Sequence, residues 1–406
     1  MTESRTDTTL NLSRNLSRTP QQGLRHVESQ PTRPRYRRHW GISPRTRFQL
    51  GQCDALVSAI LNTPVHPDHH RRFLDTAMAK AAVATTAIEG GPLDESEVGA
   101  LMAGRRLPPS RDPQATEVMN VVTAARTLLD ELASGTATPV TPDLVLRIHA
   151  LIGADLGDRL DAEPGQYRTG GQGGRYTAPS AGDVPGLIDG VFEWLGREFP
   201  RSGPDGEFSQ AAVRALVTHV YILWIRPFGD GNGRTARLLE AYILGAAGTP
   251  AIASHLLTGF YNETRREYFR HLEQSSRDRS LTSFIAYAVE GLRDGLERLH
   301  GTVSQANFAV AWRNFVRARL EELDLRKRSV LERRTELMLA IPLEGTVDLD
   351  QVAVLDAETA QRYGGLSRRT LRRDLRFLVE MGLLTGSEEA YSANTGLLGP
   401  DCAATG

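Results

Sequence analysis

The residue types most suited to chemistry are concentrated in one glycine-rich segment, residues 225–237, with the sequence Ile-Arg-Pro-Phe-Gly-Asp-Gly-Asn-Gly-Arg-Thr-Ala-Arg. Three glycines at alternate positions let its backbone turn sharply and approach a ligand closely. Pro227 disfavours helical geometry at the residue before it, so we expect one helix to end near Ile225 and another to begin near Arg234. The unpaired N–H groups that start the second helix, together with the glycine-rich turn, predict an anion-binding site.

Charged side chains in the same segment indicate which anion would bind. Arg234 and Arg237 are three residues apart, so they share one face of the predicted helix and can reach the same phosphate chain. Asp230 offers a hard oxygen ligand for Mg²⁺, which usually joins protein carboxylates to nucleotide phosphates. A glycine-rich turn between two core helices is the alternative, but this combination of residues is more specific than glycine content alone.

Helices are expected to position this segment, because apolar residues recur at three- and four-residue spacing through most of residues 45–300. The predicted helices lie at about 48–61, 73–88, 118–132, 142–152, 184–195, 211–225, 235–244 and 281–299. Strand-forming sequence is scarce. The one candidate β-hairpin, residues 167–177, has a glycine-rich centre with few side chains to pack.

The segment 226–237 resembles the signature of the Fic/Fido family, His-Pro-Phe-x-Asp-Gly-Asn-Gly-Arg-x-x-Arg, at every fixed position except the first. The likeness extends over about residues 45–300. Residues 165–168 resemble the lead into the family's target-docking flap, and residues 262–268 resemble the segment that walls the adenine pocket. The resemblance implies a mainly α fold, with a Fic-type helical core and a short β-hairpin flap.

The same resemblance implies roles for individual residues. In the family, the site typically moves AMP from Mg-ATP to a hydroxyl group of a protein. Asp230 would hold Mg²⁺, and Arg234 and Arg237 would clamp the phosphate tail. The turn Gly231-Asn232-Gly233 would cradle phosphates, and Tyr268 would contact the nucleotide. The implied cofactor is therefore Mg-ATP or a related nucleotide.

A second segment, Thr85-Thr86-Ala87-Ile88-Glu89-Gly90, resembles the family's inhibitory helix, Ser/Thr-x-x-x-Glu-Gly/Asn. Its two trailing glycines are typical of a helix end, with Glu89 on the last turn. A carboxylate at a helix C-terminus is unfavourable unless a cation faces it. The resemblance implies that Arg237 is this cation and that Glu89 competes with a terminal phosphate for it. The alternative is an exposed glutamate at a frayed end.

Arg226 stands where the family has its general base. Histidine can accept a proton near neutral pH, whereas arginine stays protonated at any working pH. Loss of a general base typically costs on the order of 10²–10⁴-fold in rate. Glycine also replaces the β-branched residues with which the flap would pair with a target strand. Binding of a nucleotide or another phosphate is therefore better supported than AMP transfer.

Three hypotheses follow from the exchange at Arg226. In the first, the protein still performs phosphate chemistry on a non-protein or unusual acceptor, with Arg226 as an anion clamp or transition-state stabiliser. In the second, it is a catalytically inactive nucleotide sensor that regulates transcription through its C-terminal region. In the third, it transfers AMP to proteins slowly, because positioning and electrostatic effects survive the loss of the base.

A separate module is predicted near the C-terminus. Residues 366–378 form an amphipathic pattern with Leu371, Leu375 and Leu378 on one face, and a short polar turn follows. This order is typical of a winged helix, with a recognition helix and a hairpin wing. The helix carries a basic stripe that suits a DNA backbone, made of Arg368, Arg369, Arg372, Arg373 and Arg376. Alternatively, the module mediates a protein contact, such as that of a homodimer.

The predicted domain organisation is a disordered tail at 1–38, an N-terminal helical region with the inhibitory helix at 39–160, a Fic core at 161–300, a connecting helix at 301–340, a winged-helix-like domain at 341–396 and a frayed end at 397–406. The tail is rich in Ser, Thr, Arg, Gln and Pro, a composition that buries too little apolar surface to offset the entropy of ordering.

Composition narrows the function classes further. The chain has 406 residues, 40% of them hydrophobic, and a formal net charge of -1, which argues against a nucleic-acid coat or a membrane-surface protein. Its two cysteines have no disulfide or metal spacing and suggest a reducing compartment. No apolar run of about 18 residues and no secretory signal are apparent, so we expect a cytoplasmic protein without membrane contact. His66, His69 and His70 lack a fourth metal ligand.

Overall fold

The structure is a computed structural model, and it describes residue 34 and residues 36–157, 160–171, 178–200, 207–253, 255–323 and 328–398. Within these residues the chain forms helices α1–α15 and one two-stranded antiparallel sheet. The predicted fold class, mainly α, is therefore confirmed. Most of the predicted tail and the second half of the predicted flap, residues 172–177, lie outside the described residues.

The helix bounds place two helix ends near the glycine-rich segment. The helices are α1 (Pro44–Asn62), α2 (Pro67–Ile88), α3 (Glu95–Met102), α4 (Asp112–Ser134), α5 (Pro142–Gly153), α6 (Val184–Glu198), α7 (Glu207–Ile225), α8 (Asn232–Ala246), α9 (Leu256–Glu263), α10 (Arg265–Asp278), α11 (Thr282–Glu321), α12 (Arg328–Ala340), α13 (Leu349–Val352), α14 (Ala357–Gly364) and α15 (Arg368–Glu380). The predicted break after Ile225 is confirmed, and the next helix starts two residues before Arg234.

Helix α7 lies at the centre of the larger of two hydrophobic cores. Val217, Val220 and Ile222 are fully buried, as are most of their neighbours on every side of the helix. A helix that is apolar all round is buried in a core or a membrane. The expectation that the chain has no apolar run of membrane-spanning length is corrected, because Phe208–Ile225 is long and apolar enough by length and composition. Since 72% of that window is buried inside the protein, its apolar character is explained by the core.

Helix α8 packs along α7, and α2, α4 and α5 each contact α8. Helices α9 and α10 follow, and α2 also packs against α9. The consequence is that the C-terminal end of α2 and the first turn of α8 lie side by side, although they are far apart in sequence.

The segment that precedes α1 contacts helix α6. The Tyr36 hydroxyl donates a hydrogen bond to the Leu187 carbonyl at 3.0 Å. Arg38 forms an ion pair with Glu198 at 3.5 Å. Packed structure therefore begins a few residues before the predicted end of the tail at residue 38.

The predicted flap differs from expectation where it is described. Residues 167–171 contain no strand, and the rest of the predicted hairpin lies outside the described residues. Arg168 is nevertheless 8% exposed, because its side chain turns inward to the segment that follows α7. The described part of this segment therefore supports the glycine-rich loop.

One long helix joins the two hydrophobic cores. Helix α11 has 40 residues, with Leu292 and Leu296 in the first core and Trp312 and Val316 in the second. The boundary predicted at 300–301 therefore falls inside a continuous helix. The connecting helix predicted at 301–340 is divided between α11 and α12.

The C-terminal region has the element order that the sequence predicted. Leu371, Leu375 and Leu378 of α15 are buried, as expected. A hairpin follows, in which β1 (Leu384–Ser387) pairs antiparallel with β2 (Ala390–Ala393). The assignment of this region as a winged helix, and its contact with DNA, stay predictions.

Candidate functional site

The loop between α7 and α8 is closed by its own asparagine. The Asn232 side chain accepts a hydrogen bond from the Phe228 backbone N–H at 3.0 Å and donates one to the Phe228 carbonyl at 2.8 Å. Gly231, with φ 73°, makes the left-handed turn into α8. The Asn232 side-chain amide thus shapes the turn that leads into α8. That the turn Gly231-Asn232-Gly233 cradles phosphates stays a prediction.

His149 of α5 contacts this loop at Phe228 and Asp230. Its ring stacks on Phe228 with centroids 3.7 Å apart and planes 2° from parallel. Gly165 N–H donates to Nδ1 at 3.0 Å, so Nε2 carries the proton and donates to the Asp230 carbonyl at 3.1 Å. Burial lowers the pKa of His149 to about 4, which keeps the ring neutral in this tautomer.

Sequence reasoning missed His149. Its only signal is its place on the buried face of an amphipathic helix, where most histidines are simply core residues.

Two glycines are required by close neighbours. A Cβ on Gly229 would lie 2.1 Å from the Asp161 carbonyl oxygen, and a Cβ on Gly233 would lie 2.2 Å from Glu89 Oε1. Gly233 therefore lets the Glu89 carboxylate rest directly against the first turn of α8. This is the position that an anion at the start of a helix would take.

Glu89, Thr85 and Arg237 are brought together as the resemblance implied. The Arg237 guanidinium donates to Glu89 Oε1 at 2.8 Å, and its Nε donates to Thr85 Oγ1 at 2.7 Å. Arg237 is 2% exposed, whereas the Glu89 side chain is 41% exposed at the mouth of a cavity. One partner of the ion pair is thus fixed in the core and the other faces solvent.

The charges around Glu89 keep it ionised. Burial acts to raise the pKa of Glu89, but the nearby Arg237, Arg234 and Arg265 together lower it below its usual range. Arg265 of α10 also donates to the Ile88 carbonyl at 2.8 Å, which holds the C-terminal end of α2 in place. Burial likewise opposes the charge of Arg237, but its contact with Glu89 raises its pKa.

Arg234 does not join Arg237 at the cavity. Its guanidinium donates to Glu117 of α4 at 2.5 Å and to Asp230 at 3.3 Å, and its side chain is 4% exposed. The two arginines are on one helix, but Arg234 is turned toward α4. Arg237 therefore borders the cavity and Arg234 does not, and the role of both arginines as a phosphate clamp stays a prediction.

Asp230 fits the predicted metal ligand by position. It borders the cavity, its side chain is 45% exposed, and its other contacts are Gly231 N–H and Arg234. Mg²⁺ is commonly held by one or two carboxylates together with substrate phosphates. The Asp230 carboxylate on the loop therefore suits a metal that arrives with a nucleotide. The described residues contain no cluster of three or more side chains suited to a permanent metal.

The cavity beside Glu89 has a volume of about 300 Å³. One wall is polar and combines the loop with the Glu89–Arg237 pair. The apolar lining of the cavity includes Leu223, Phe269 and Leu272, and Tyr268, which also borders it, is 1% exposed. Pockets with an apolar wall and a few placed polar groups are typical of small-molecule sites.

A second cavity, of about 540 Å³, lies on the other side of Arg226 and is lined mainly by residues 161–171. Arg226 and Gly229 border both cavities. The Arg226 backbone has φ 49°, a conformation uncommon for residues other than glycine, and such residues cluster at functional sites.

Arg168 holds Arg226 in this conformation. Its Nε donates to the Arg226 carbonyl at 2.7 Å, and its Nη2 donates to the Pro179 carbonyl at 2.6 Å. Burial, and then the charge of Arg226, lower the pKa of Arg168. Arg168 was recognised in the sequence only as part of the lead into the flap, and its contact with Arg226 was not predicted.

Comparison with known proteins shows which family and folds this chain is similar to. Residues 139–244 match the model of the Fic/DOC family. The chain is 28% identical over 225 residues to the protein adenylyltransferase fic-1 of Caenorhabditis elegans, covering 55% of this chain and 41% of that protein. It is 26% identical over 245 residues to the protein adenylyltransferase Fic of Nematostella vectensis, covering 59% and 54%. The chain thus spans about half the length of these curated relatives.

Solved structures share the fold. A Fic family protein from Desulfovibrio desulfuricans G20 has a TM-score of 0.55 at 20% identity, and the match covers 88% of this chain and 98% of that one. A fragment of Fic-1 from C. elegans has a TM-score of 0.53 at 24% identity, covering 64% and 73%. The signature loop at 226–237 lies inside the segment 139–244 that matches the Fic/DOC family model, so this part of the chain is a Fic/DOC domain by that match.

Proposed function

We propose that the protein binds ATP or a related nucleotide with magnesium in the cavity beside Glu89. The observation that carries this proposal is the ion pair between the buried Arg237 and the half-exposed Glu89, 2.8 Å apart at the start of α8. Among the described residues Glu89 is the carboxylate paired with Arg237, and a buried cation whose carboxylate partner faces a cavity is suited to exchange that carboxylate for a phosphate. Glu89 thus competes with the terminal phosphate of the nucleotide.

The other parts of the cavity fit the rest of such a ligand. The backbone N–H groups at the start of α8 would bind phosphate oxygens, and Asp230 would hold the magnesium ion. The metal would neutralise charge on the phosphates. Leu223, Phe269 and Leu272 offer an apolar wall for the base.

The reaction is constrained by Arg226. The curated relatives are protein adenylyltransferases, but a hydroxyl acceptor must lose a proton, and Arg226 cannot take it. We propose that transfer instead uses an acceptor oxygen that is already ionised at neutral pH, such as that of a phosphate group. This oxygen would bond to the α-phosphorus, the bond from that phosphorus to the β-phosphate bridge would break, and pyrophosphate would leave. No proton needs to move.

The position of Arg226 between the two cavities favours this acceptor. A guanidinium that borders both cavities can bind the ionised group and stabilise the charge that develops during transfer. Since Asp161 and Glu163 also line the second cavity, we expect the rest of the acceptor to be neutral or cationic. The acceptor is therefore not expected to be a polyanion.

A nucleotide sensor acting on DNA is the second candidate, and the exposed face of α15 favours it. Arg368 and Arg372 are paired with Asp350 and Glu388. The remaining exposed arginines of this helix have no ion-pair partner among the described residues, and they are Arg369, Arg373 and Arg376. Their spacing of four and three residues places them on one face, where they could contact duplex phosphates.

Transfer of label from ATP tests the proposal. Glu89→Gly protein would be mixed with magnesium and ATP labelled at the α-phosphate, with and without inorganic phosphate as acceptor. We expect labelled ADP, together with unlabelled pyrophosphate, only when phosphate is present. No protein should be labelled. Adding Arg226→His should restore labelling of protein by on the order of 10²–10⁴-fold.

Three other outcomes have distinct meanings. Nucleotide binding without any transfer would leave the sensor. Protein labelling by the Arg226 protein at the rate of the Arg226→His variant would show that the site works without a histidine. Absence of nucleotide binding to either protein would overturn the proposed function.

A further inference from the structure

A chain of buried polar groups extends from Arg237 away from the cavity. Tyr268 lies within hydrogen-bonding reach of Arg237, and its hydroxyl is 2.9 Å from His219 Nε2. On the other side of the ring, His219 Nδ1 is 3.3 Å from Glu240 Oε2. All four side chains are at most 2% exposed. Of these four residues, Tyr268 and His219 lie outside the signature segment 226–237, on α10 and α7.

Tyr268 can join Arg237 and His219 through its single hydroxyl group. Arg237 can only donate, so the Tyr268 oxygen accepts from it, which leaves the hydroxyl hydrogen available to His219 Nε2. His219 Nδ1 lies 3.3 Å from the buried Glu240 carboxylate but forms no hydrogen bond with it, so Glu240 acts on Tyr268 as a nearby negative charge.

This arrangement matters when Glu89 leaves. Arg237 would then be a buried guanidinium without its carboxylate partner, a situation that normally displaces the charged group or costs stability. Thr85 still accepts from Nε, but Thr85 is uncharged. The negative charge that stays in the core behind Arg237 is that of Glu240, which acts on Tyr268.

We propose that Tyr268 is a positioning residue that, backed by His219 and Glu240, keeps Arg237 directed at the terminal phosphate once Glu89 has moved away. The inference rests on the proposed function. It predicts that Tyr268 contributes to affinity according to the number of phosphates on the ligand. A residue that merely packs the core would affect all nucleotides alike.

The test compares ligands with different phosphate tails on the same proteins. Calorimetric affinities for magnesium with ATP, and for AMP, would be measured on Glu89→Gly protein and on Glu89→Gly with Tyr268→Phe. We expect the ratio of ATP to AMP affinity to fall about tenfold, because one hydrogen bond to a charged group is lost while the ring remains.

Tyr261→Phe is the matched control. Tyr261 is fully buried, its ring centroid is 4.6 Å from that of Tyr268, and its hydroxyl donates to the other Glu240 oxygen at 2.9 Å. Among the described residues Tyr261 has no hydrogen bond to Arg237. Loss of its hydroxyl should therefore leave the ratio of ATP to AMP affinity within about twofold. Glu240→Gln, which keeps the side-chain shape, should lower the ratio as Tyr268→Phe does.

The outcomes separate this inference from the proposed function. If Glu89→Gly protein binds ATP but the ratio is unchanged in both Tyr268→Phe and Glu240→Gln, the positioning role is overturned and the nucleotide site stands. An equal loss of ATP and AMP affinity in the Tyr268→Phe protein would assign it a packing role and also overturn the inference. If Glu89→Gly protein binds no nucleotide, both fall together.

Discussion

Two regions of this molecule pair arginine with a carboxylate, and a different partner of the pair is buried in each region. At the cavity, the buried partner is Arg237, and the carboxylate of Glu89 is 41% exposed. In the C-terminal region, the buried partner is the carboxylate of Asp374, which is 0% exposed. Arg333 and Arg334 of α12 each donate to Asp374, at 2.9 and 2.8 Å.

The surroundings of the two carboxylates also differ. Tyr363 adds a third hydrogen bond to Asp374 at 3.1 Å, and the Arg334 guanidinium lies 3.8 Å from the centroid of Phe377. Glu89 has a cavity on its open side and Gly233 on the other. An ion pair that is enclosed by packing holds two helices together, whereas one that borders a cavity can exchange its exposed partner for a ligand.

Removing the enclosed carboxylate should have the largest effect. Asp374→Asn removes a fully buried carboxylate and leaves the half-buried Arg333 and Arg334 without their countercharge, which we expect to cost about 3–5 kcal/mol of stability in the C-terminal region. Glu89→Gln should cost less than about 1 kcal/mol, because Arg237 keeps Thr85 and Tyr268. Denaturant unfolding of both variants measures the difference. Equal destabilisation would remove the distinction between the two pairs.

Acid should weaken the loop before it affects the Glu89–Arg237 pair. His149 has a folded pKa of about 4 against an ordinary value of 6.5, so its contribution to stability is present above pH 6.5 and is lost as the pH falls toward 4. At about 1.4 kcal/mol per pKa unit, the loss approaches about 3 kcal/mol. The pKa of Glu89 is lowered below its usual range by the nearby arginines, so its carboxylate takes up a proton at a lower pH than an ordinary glutamate does.

Unfolding free energies at pH 7 and pH 5 check this expectation. The natural protein should lose about 2 kcal/mol through His149, and His149→Gln, which can still donate and accept one hydrogen bond each, should not. Any slope from the buried His255 is common to both proteins and cancels in the comparison. The same pH slope in both would contradict the neutral state assigned to His149.

The two arginines of α8 allow the comparison to be repeated within one helix. In a Glu89→Gly background, Arg237→Gln should weaken binding of Mg-ATP at least about tenfold, since a charged hydrogen-bond donor is lost at the cavity. Arg234→Gln should change affinity less and stability more, because Arg234 is held by Glu117 and Asp230. Calorimetry and thermal unfolding of the same samples measure both. A larger affinity loss for Arg234→Gln would reverse the assignment.

The smallest effects are expected on α15, where arginines without an ion-pair partner among the described residues should contribute more to DNA affinity than paired ones. If this face binds duplex DNA, replacing Arg369, Arg373 or Arg376 by Gln should reduce the slope of log affinity against log salt by about 1 each. Arg372→Gln, which also loses its bond to Glu388, should reduce it less. Gel shifts at several salt concentrations test this. No binding at low salt would exclude the DNA contact.

The sequence was most informative where function depends on local pattern. The glycine-rich loop, Asp230 and Arg237 lie within one short segment, and Thr85 and Glu89 end a single helix. The contacts that could not be predicted join residues far apart, such as Arg234 with Glu117 and His149 with the Asp230 carbonyl. These side chains occur on amphipathic helices, where the pattern indicates a buried face but not the partner across it.

The central claim is that Glu89 and a nucleotide compete for Arg237. Calorimetric binding of Mg-ATP to the natural protein and to Glu89→Gly tests it most directly. The account predicts that Glu89→Gly binds at least about tenfold more tightly, since releasing a charged hydrogen bond is worth about 1.5–3 kcal/mol. Equal affinities in the two proteins would mean that the Glu89–Arg237 pair is structural, and would contradict the account.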